Sequence, residues 1–570
     1  MRYLLFFFLF SSFSAAGQSF WAKTQAGGNV DETTAVTGDA AGNTYATGYF
    51  SSSASISGTN LTVSGLTDVF VTKIAPGGNT LWSVKAGGTG SDRGLGIAVD
   101  AAGNVIVCGF FTGTANFGNG VSITANSGSQ DAFTAKFDPN GNALWARAGG
   151  SPGNSDRANA AAVNNAGNVF VTGQFTGEAD FGAFPLTSEN NTNDVFTVKY
   201  SPDGSELWAK GSIGNALNRG LGITVDNSGA AYACGQFSGN ITFDDFYTNT
   251  ILNALFVVKY SAAGDEEWMR FAGGSAQSVA YGIDSNGSDV FITGDCGQSI
   301  TFVNAPGSPV INTGYDNAAF AARLNGNGNF VWGSSRGSSS QVSSRGISFH
   351  SGQLVIAGWF SCTFDELSEE YGEGLFNNMG FRDVFVIRFN ANGQFLRARQ
   401  VGSKQAMSAS GVHILPDNLE VISGTFEGSF LVPIRNSLSG NGLEIINNSP
   451  NAGLSYCGDP AYGEHSIVSG SASDDGFLLK AIDPEREPLD FYNRTDMSGC
   501  DLSIPESCII PGSLSQPQEC IEEISGCPGV TVSGFNYLPS GAFSSTAPGY
   551  SYEVTWSNGT SGITTTPSGS

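Results

Sequence analysis

The chain is expected to be an all-β, seven-bladed β-propeller. Three observations predict this. A phrase centred on Trp recurs seven times, at Trp21, Trp82, Trp145, Trp208, Trp268 and Trp332 and then as Leu396, in steps of 61, 63, 63, 60, 64 and 64 residues. A second phrase, D-x-F-x-x-K, recurs equally often; its basic residue falls at Lys73, Lys136, Lys199, Lys259, Arg323, Arg388 and Lys480. Each unit carries four strand-like runs, and four antiparallel strands repeated radially are the pattern of a propeller.

The second unit shows the elements in order. Gly94–Asp100 (GLGIAVD) alternates and turns at Ala101-Ala102-Gly103-Asn104. Val105–Phe111 (VIVCGFF) follows, and a variable stretch leads to Asp131–Phe137 (DAFTAKF). The turn Asp138-Pro139-Asn140-Gly141 leads to Ala143–Gly149 (ALWARAG). Pro presets φ early in that turn and Gly takes the positive φ that closes it. The first copy, Phe20–Gly28 (FWAKTQAGG), matches the fourth strand of a unit, and Gly476–Asp483 (GFLLKAID) matches a third strand. The N-terminal strand is therefore expected to pair beside Gly476–Asp483 and close the ring, which removes open sheet edges.

Recurrence also assigns roles. A residue repeated in every unit occupies the same place in every blade, so the Trp series reads as inter-sheet packing and the Lys series as contacts between blades. Cys108 and Cys234 share their position with Thr47, Thr172, Thr293, Ala357 and Ser423, which marks a small packed site and buried thiols. Cys296 and Cys362, in neighbouring units, could pair or stay free.

The phrases G-N-V-x-V-x-G-x-F-x-G (Gly103–Gly113, Gly167–Gly177) and D-x-F-x-x-K…G…W resemble the bacterial seven-bladed propeller (SBBP-type) repeat of secreted and surface proteins, from about Gln18 to Asp483. That resemblance implies the fold and no particular activity. After Asp483 the repeat stops. Residues 484–529 read as a Cys/Pro/Ser-rich linker in which Cys500, Cys508, Cys520 and Cys527 are disulfide candidates of open connectivity, with Cys457 left over. Residues 530–570 read as a partial immunoglobulin-like or adhesin-repeat segment; Tyr550–Gly559 (YSYEVTWSNG) resembles the SprB-type repeats of Bacteroidetes surface adhesins. The chain is expected to be part of a longer surface protein.

Residues 1–17 read as a signal peptide: Arg2, the apolar run Tyr3–Phe10, and the small residues Ala15-Ala16-Gly17. Export to the medium or the cell surface follows, with no transmembrane segment. The net charge of −25 over 570 residues repels phosphate backbones and argues against nucleic acid as a partner.

Candidate site residues are few. Arg93, Arg157, Arg219 and Arg345 each immediately precede the first strand of their unit, with Asp92, Asp156 and Asn218 beside the first three. The first strand of a propeller blade lines the channel, so these guanidiniums are expected near one mouth, where they could grip carboxylates or sulfates bidentately. The competing reading is that each Arg pairs with a neighbouring acid and knits blades together. Asp365, Glu366, Glu369 and Glu370 cluster in Phe364–Gly374 and suit Ca²⁺, although their spacing matches no EF-hand and a solvated acidic loop competes. No other cofactor is expected.

Catalytic motifs are lacking. The three His (His350, His413, His465) show no metal-ligand spacing, and no G-x-S-x-G elbow occurs. Ser201–Trp208 (SPDGSELW) departs from the sialidase Asp box: Gly204 directly follows Asp203, and Leu207 replaces Thr. The leading expectation is a non-enzymatic binding, adhesion or display module for a glycan or a surface protein. It would act through the channel mouth and the variable loops Gly113–Gln130, Gly177–Asn193 and Gly239–Asn253. A carbohydrate-active lyase or hydrolase and a structural spacer are the rivals.

Overall fold

The computed structural model describes residues 21–26 and 30–431, apart from 127, 245, 275, 304–305, 308, 314–316, 338–340, 362, 365–375, 378–380, 404–405 and 427–428. It also describes the strands Ser466–Val468, Asp475–Lys480, Ile521–Glu523, Val530–Tyr537, Tyr550–Trp556 and Ser561–Thr564. The chain divides into two units: residues 1–450 with 463–483, and residues 451–462 with 484–570. In the second unit the last four strands form one antiparallel sheet in sequence order.

The first unit is a β-propeller. Among the described residues, six blades are contiguous in sequence: blade 1 (31–86), blade 2 (93–149), blade 3 (157–211), blade 4 (219–273), blade 5 (279–337) and blade 6 (342–403). Six is one fewer than the repeat count led us to expect. The last repeat unit makes no blade of its own, because it ends at its third strand. Its sheet is composite: Met407–Ile414, Glu420–Phe426 and Asp475–Lys480 are joined by the N-terminal strand Trp21–Ala26. Trp21 lies opposite Lys480 and Gln25 opposite Gly476, which is the pairing expected of Phe20–Gly28.

The first strands touch one another in ring order, and Met407–Ile414 touches Asp31–Gly38, so the cycle is continuous. Every first strand carries a one-residue bulge at the same register, as at Gly94/Gly96, Gly220/Gly222 and Ser344/Gly346. Where the bulge residue is polar it can bond across to the next blade. Thr34 Oγ1 donates to Gly94 O (2.8 Å), Asn159 Nδ2 to Gly220 O (2.8 Å), and Ser410 of the composite sheet to Thr33 O (2.8 Å).

The repeated anchors do what recurrence implied. The Trp of one blade seats under the hairpin turn of the next: Trp82 Nε1 donates to Pro139 O (2.9 Å), and Trp145 Nε1 to Pro202 O (3.1 Å). The turn Gly packs on the indole face. A Cβ added at Gly204 would lie 2.7 Å from Trp145, and its φ of 84° also disfavours a side chain. The basic residue of D-x-F-x-x-K reaches the same neighbouring turn, as Lys199 Nζ does to Ala262 O (2.7 Å). Lys480 reaches Pro76 O (3.4 Å) and so ties the composite sheet to blade 1.

Blade 6 corrects one assignment. Arg388 lies opposite Arg397, as Lys136 lies opposite Trp145, so Arg397 and not Leu396 holds the anchor position. Leu396 is 37 % exposed. Arg397, Arg399 and Arg388 converge on the buried Glu420 of the composite sheet, at 3.0, 3.5 and 2.7 Å. Burial raises the Glu420 carboxyl, but the three guanidiniums, Arg399 first, outweigh it and hold the group down at about 2.

The excess length between second and third strands proves to be structural in most blades. In blade 2 it folds as the hairpin Thr114–Gly118/Val121–Thr124, bridged to the end of blade 1 through Gly87 and Asn116. In blade 3 it is Glu178–Phe181/Phe184–Thr187, bridged to the end of blade 2 through Gly150 and Asp180. These hairpins bury Ala115, Phe117, Ala179 and Phe181 in the core. Blade 4 continues its second and third strands into the same device, burying Ile241 and Phe243. The loops expected to carry function therefore latch blades together.

Candidate functional site

Arg93, Arg157 and Arg219 open the first strands of blades 2, 3 and 4, opposite Phe110, Gln174 and Gln236. These strands are consecutive in the ring, so the three guanidiniums stand side by side at one mouth of the channel. Elsewhere the same register holds Glu32 opposite Tyr49, Val279 opposite Asp295, Ser343 opposite Trp359 and Ser408 opposite Thr425. Arg345 is not equivalent to the other three. It lies two residues further along, at the bulge between Ser344 and Gly346, because the register of blade 6 begins earlier than its Arg-Gly pair suggests.

The neighbouring acids do not pair with these Arg side chains. Asp92 is fully buried and accepts the backbone N–H groups of Gly88 (2.6 Å) and Thr112 (3.1 Å). Asp156 likewise accepts from Ser151 (2.7 Å) and Thr176 (2.8 Å). Burial pushes both carboxyls up to about 6; the N–H donors oppose it, and the adjacent Asp68 and Asp131 carboxylates add to the rise. At the next junction Asn218 replaces the second acid and donates to Asp194 Oδ1 (2.9 Å). These side chains pin the connections around the mouth.

Among the described residues, none of Arg93, Arg157 and Arg219 forms an ion pair, and the buried Nε atoms of Arg93 and Arg219 have no hydrogen-bond partner. Aromatic rings hold two of them, Arg93 and Arg157. Arg93 lies 4.0 Å from the Tyr49 ring centroid, and Arg157 lies 4.8 Å from that of Phe110. Burial lowers the pKa of Arg157, and the charges of Arg219 and Arg93 lower it further.

A cavity of about 360 Å³ opens between Arg157 and Arg219, lined also by Asn159, Gln174, Asn193 and Leu221. Among the described residues no acidic side chain lines it. On the far side of the mouth, Arg345 stacks 3.8 Å over Tyr281 and donates from Nε to Ser343 Oγ (2.8 Å). Asp295 nearby is half-buried, and desolvation pushes its carboxyl up to about 7 against the pull of Arg345.

Sequence reasoning missed Tyr49, Phe110, Gln174, Asp295 and Trp359. Each follows the constant Gly of the second strand (G-Y, G-F, G-Q, G-D, G-W). Variation at one position of an otherwise constant phrase was the available signal.

Other expected sites fare differently. Asp365, Glu366, Glu369 and Glu370 lie outside the described residues, as do Cys362, Cys457, Cys500, Cys508, Cys520, Cys527 and the signal peptide. Cys108, Cys234 and Cys296 are buried free thiols. Among the described residues no group of three or more His, Cys, Asp and Glu could hold a metal, and no helix is long and apolar enough to cross a membrane. His413 is half-buried, and desolvation, with the neighbouring His350, lowers its pKa to about 4.

No family model matches the chain. A stretch of 202 residues is 29 % identical to an uncharacterised WD repeat-containing protein of Acanthamoeba polyphaga mimivirus, covering 30 % of this chain and 14 % of that relative. The match thus spans about one seventh of the relative's length. Among solved structures, a quinohemoprotein alcohol dehydrogenase of Pseudomonas putida HK5 aligns over 71 % of each chain at 10 % identity with a TM-score of 0.31. The phage phi92 endosialidase aligns over 97 % of this chain and 88 % of its own at 9 % identity and a TM-score of 0.33. A Bacteroides caccae protein of unknown function aligns over 66 % of this chain and 93 % of its own at 11 % and 0.26. At these scores the solved structures carry no argument about activity; the β-propeller itself rests on the sheets described above.

Proposed function

We propose that the chain is an exported, non-enzymatic propeller that binds a glycan or surface protein at the channel mouth formed by Arg93, Arg157 and Arg219. With the composite sheet counted as a blade, it is a seven-bladed ring of the bacterial secreted-repeat type. Residues 484–570 then join it to the rest of a surface protein. The observation that carries this reading is the row of three Arg side chains without acidic partners on a chain of net charge −25. Such a chain has abundant acid with which to neutralise them. Instead Asp92 and Asp156 face loop backbone. The repeated positions support the reading by exclusion, since Trp and Lys of each blade are engaged with the next.

A screen of the full chain against a polysaccharide panel and surface-protein extracts tests the proposal. Wild type should retain at least one ligand without turning it over, and the triple variant R93A/R157A/R219A should lose it. Turnover at sub-stoichiometric protein, or binding indifferent to the triple variant, would overturn the proposal.

A further inference from the structure

We infer that the cavity between blades 3 and 4 is a subsite for one uronate residue of an acidic polysaccharide, with the carboxylate held between Arg157 and Arg219. The inference rests on the proposal that the mouth binds a ligand, and it names the chemistry. The cavity, about 360 Å³, is at the small end of the roughly 300–1,000 Å³ typical of ligand sites, which suits a single sugar ring with its substituents. Two guanidiniums from adjacent blades face it, and among the described residues no acid lines it. A planar carboxylate accepts two parallel N–H bonds from a guanidinium, which a lone ammonium cannot reproduce.

The remaining lining selects a sugar. Asn159 donates its amide to Gly220 O (2.8 Å), which leaves its Oδ1 as an acceptor. Asn193 accepts from Thr176 Oγ1 (2.8 Å) through Oδ1, which leaves its NH₂ as a donor. Gln174 is buried and contributes a third amide, which can both donate and accept. Such groups match hydroxyls, each of which is donor and acceptor at once. Leu221 supplies an apolar patch for the C–H face of a ring. The attraction is a local contact between these guanidiniums and a carboxylate, within the ~8 Å Debye length of physiological salt, beyond which the net charge of −25 carried by the chain is largely screened. Arg93, next along the mouth and sharing the Phe110 ring with Arg157, is placed for the charge of a neighbouring sugar.

The test is calorimetry of the full chain with trigalacturonate and with its fully methyl-esterified form, which keeps the sugars and removes the charges. The acid should bind at least tenfold more tightly than the ester. R157A and R219A should each weaken the acid at least tenfold, while R157K and R219K recover only part of the loss. Neither Arg makes an ion pair among the described residues, so the variants should melt with wild type, and a melting scan checks this. Equal affinity for acid and ester, no binding of either, or wild-type affinity in R157A and R219A would overturn the inference. A ligand from the wider screen that depends on the three Arg side chains without preferring an acid would leave the mouth proposal standing and remove only this subsite.

Discussion

Trp145 shows how much one side chain does in a ring of this kind. It is nearly buried, stacks against Tyr200 at 5.9 Å between centroids, and donates to the turn of blade 3. Truncation to Ala removes a large buried surface and leaves a cavity at the junction, which costs about 3–5 kcal/mol for a buried Trp or Phe. W145A should therefore lower the melting temperature clearly, whereas L144A, one residue away and 48 % exposed, should leave it near wild type. Asp156 offers a test by pH. Its folded pKa, about 6, lies above its ordinary 3.8. The folded state thus holds the proton more tightly, and the stabilisation is complete below 3.8 and lost as pH rises through 6. Asp92 and Asp194 act in the same sense, whereas Glu420 loses its contribution only below its ordinary value, toward 2. Melting temperature should fall as pH rises from 5 to 7, and D156N, which copies the natural Asn218, should flatten that slope. A wild-type slope of the opposite sign would contradict the assignment.

At the scale of elements, strand order and turns were legible because they follow local rules: Gly at the closing turn position, alternation along strands, a basic residue three after Phe. Two assignments failed because they depended on register. Leu396 was matched to the Trp series by its apolar character, yet counting from the turn Asn390–Gly393, as from Asp138–Gly141, leads to Arg397. Arg345 was matched by its Arg-Gly pair, yet bulge pairing sets it inside the strand. In both cases a strand slips by one or two residues without any change in composition. The latching hairpins were misread as free loops, since their alternation is short and their buried faces hold few residues. The join between blade 6 and the composite sheet gives a prediction at this scale. E420Q would leave three guanidiniums beside a buried amide, and breaking one partner of a buried ionic cluster costs about 3–5 kcal/mol. The melting temperature of E420Q should fall; an unchanged value would show that the cluster is stabilised elsewhere.

For the whole molecule, closure by the N-terminal strand was legible from the frame of the repeat, because a unit missing its fourth strand and a lone fourth strand at the other end complete each other. Removing residues 1–28 should expose the edge of Asp475–Lys480, lower the melting temperature and promote association. A truncated protein that stays monomeric and melts with wild type would refute closure. The proposed binding mouth was only half legible: the Arg series stands in the sequence, but the aromatic and amide residues around it come together through cross-strand pairing that no local motif records. Repeated positions build the ring, and the proposed binding mouth draws on unrepeated ones. The most direct test compares R93A/R157A/R219A with K136A, for affinity toward the ligand found by screening and for melting temperature. Lys136 is buried against Asp100 at 3.0 Å. The triple variant should lose about 1,000-fold or more in affinity, as expected for three charge-assisted bonds of ~1.5–3 kcal/mol each, with its melting temperature unchanged, while K136A should melt lower and bind as wild type. The reverse pattern, with affinity lost in K136A and kept in the triple variant, would contradict the account.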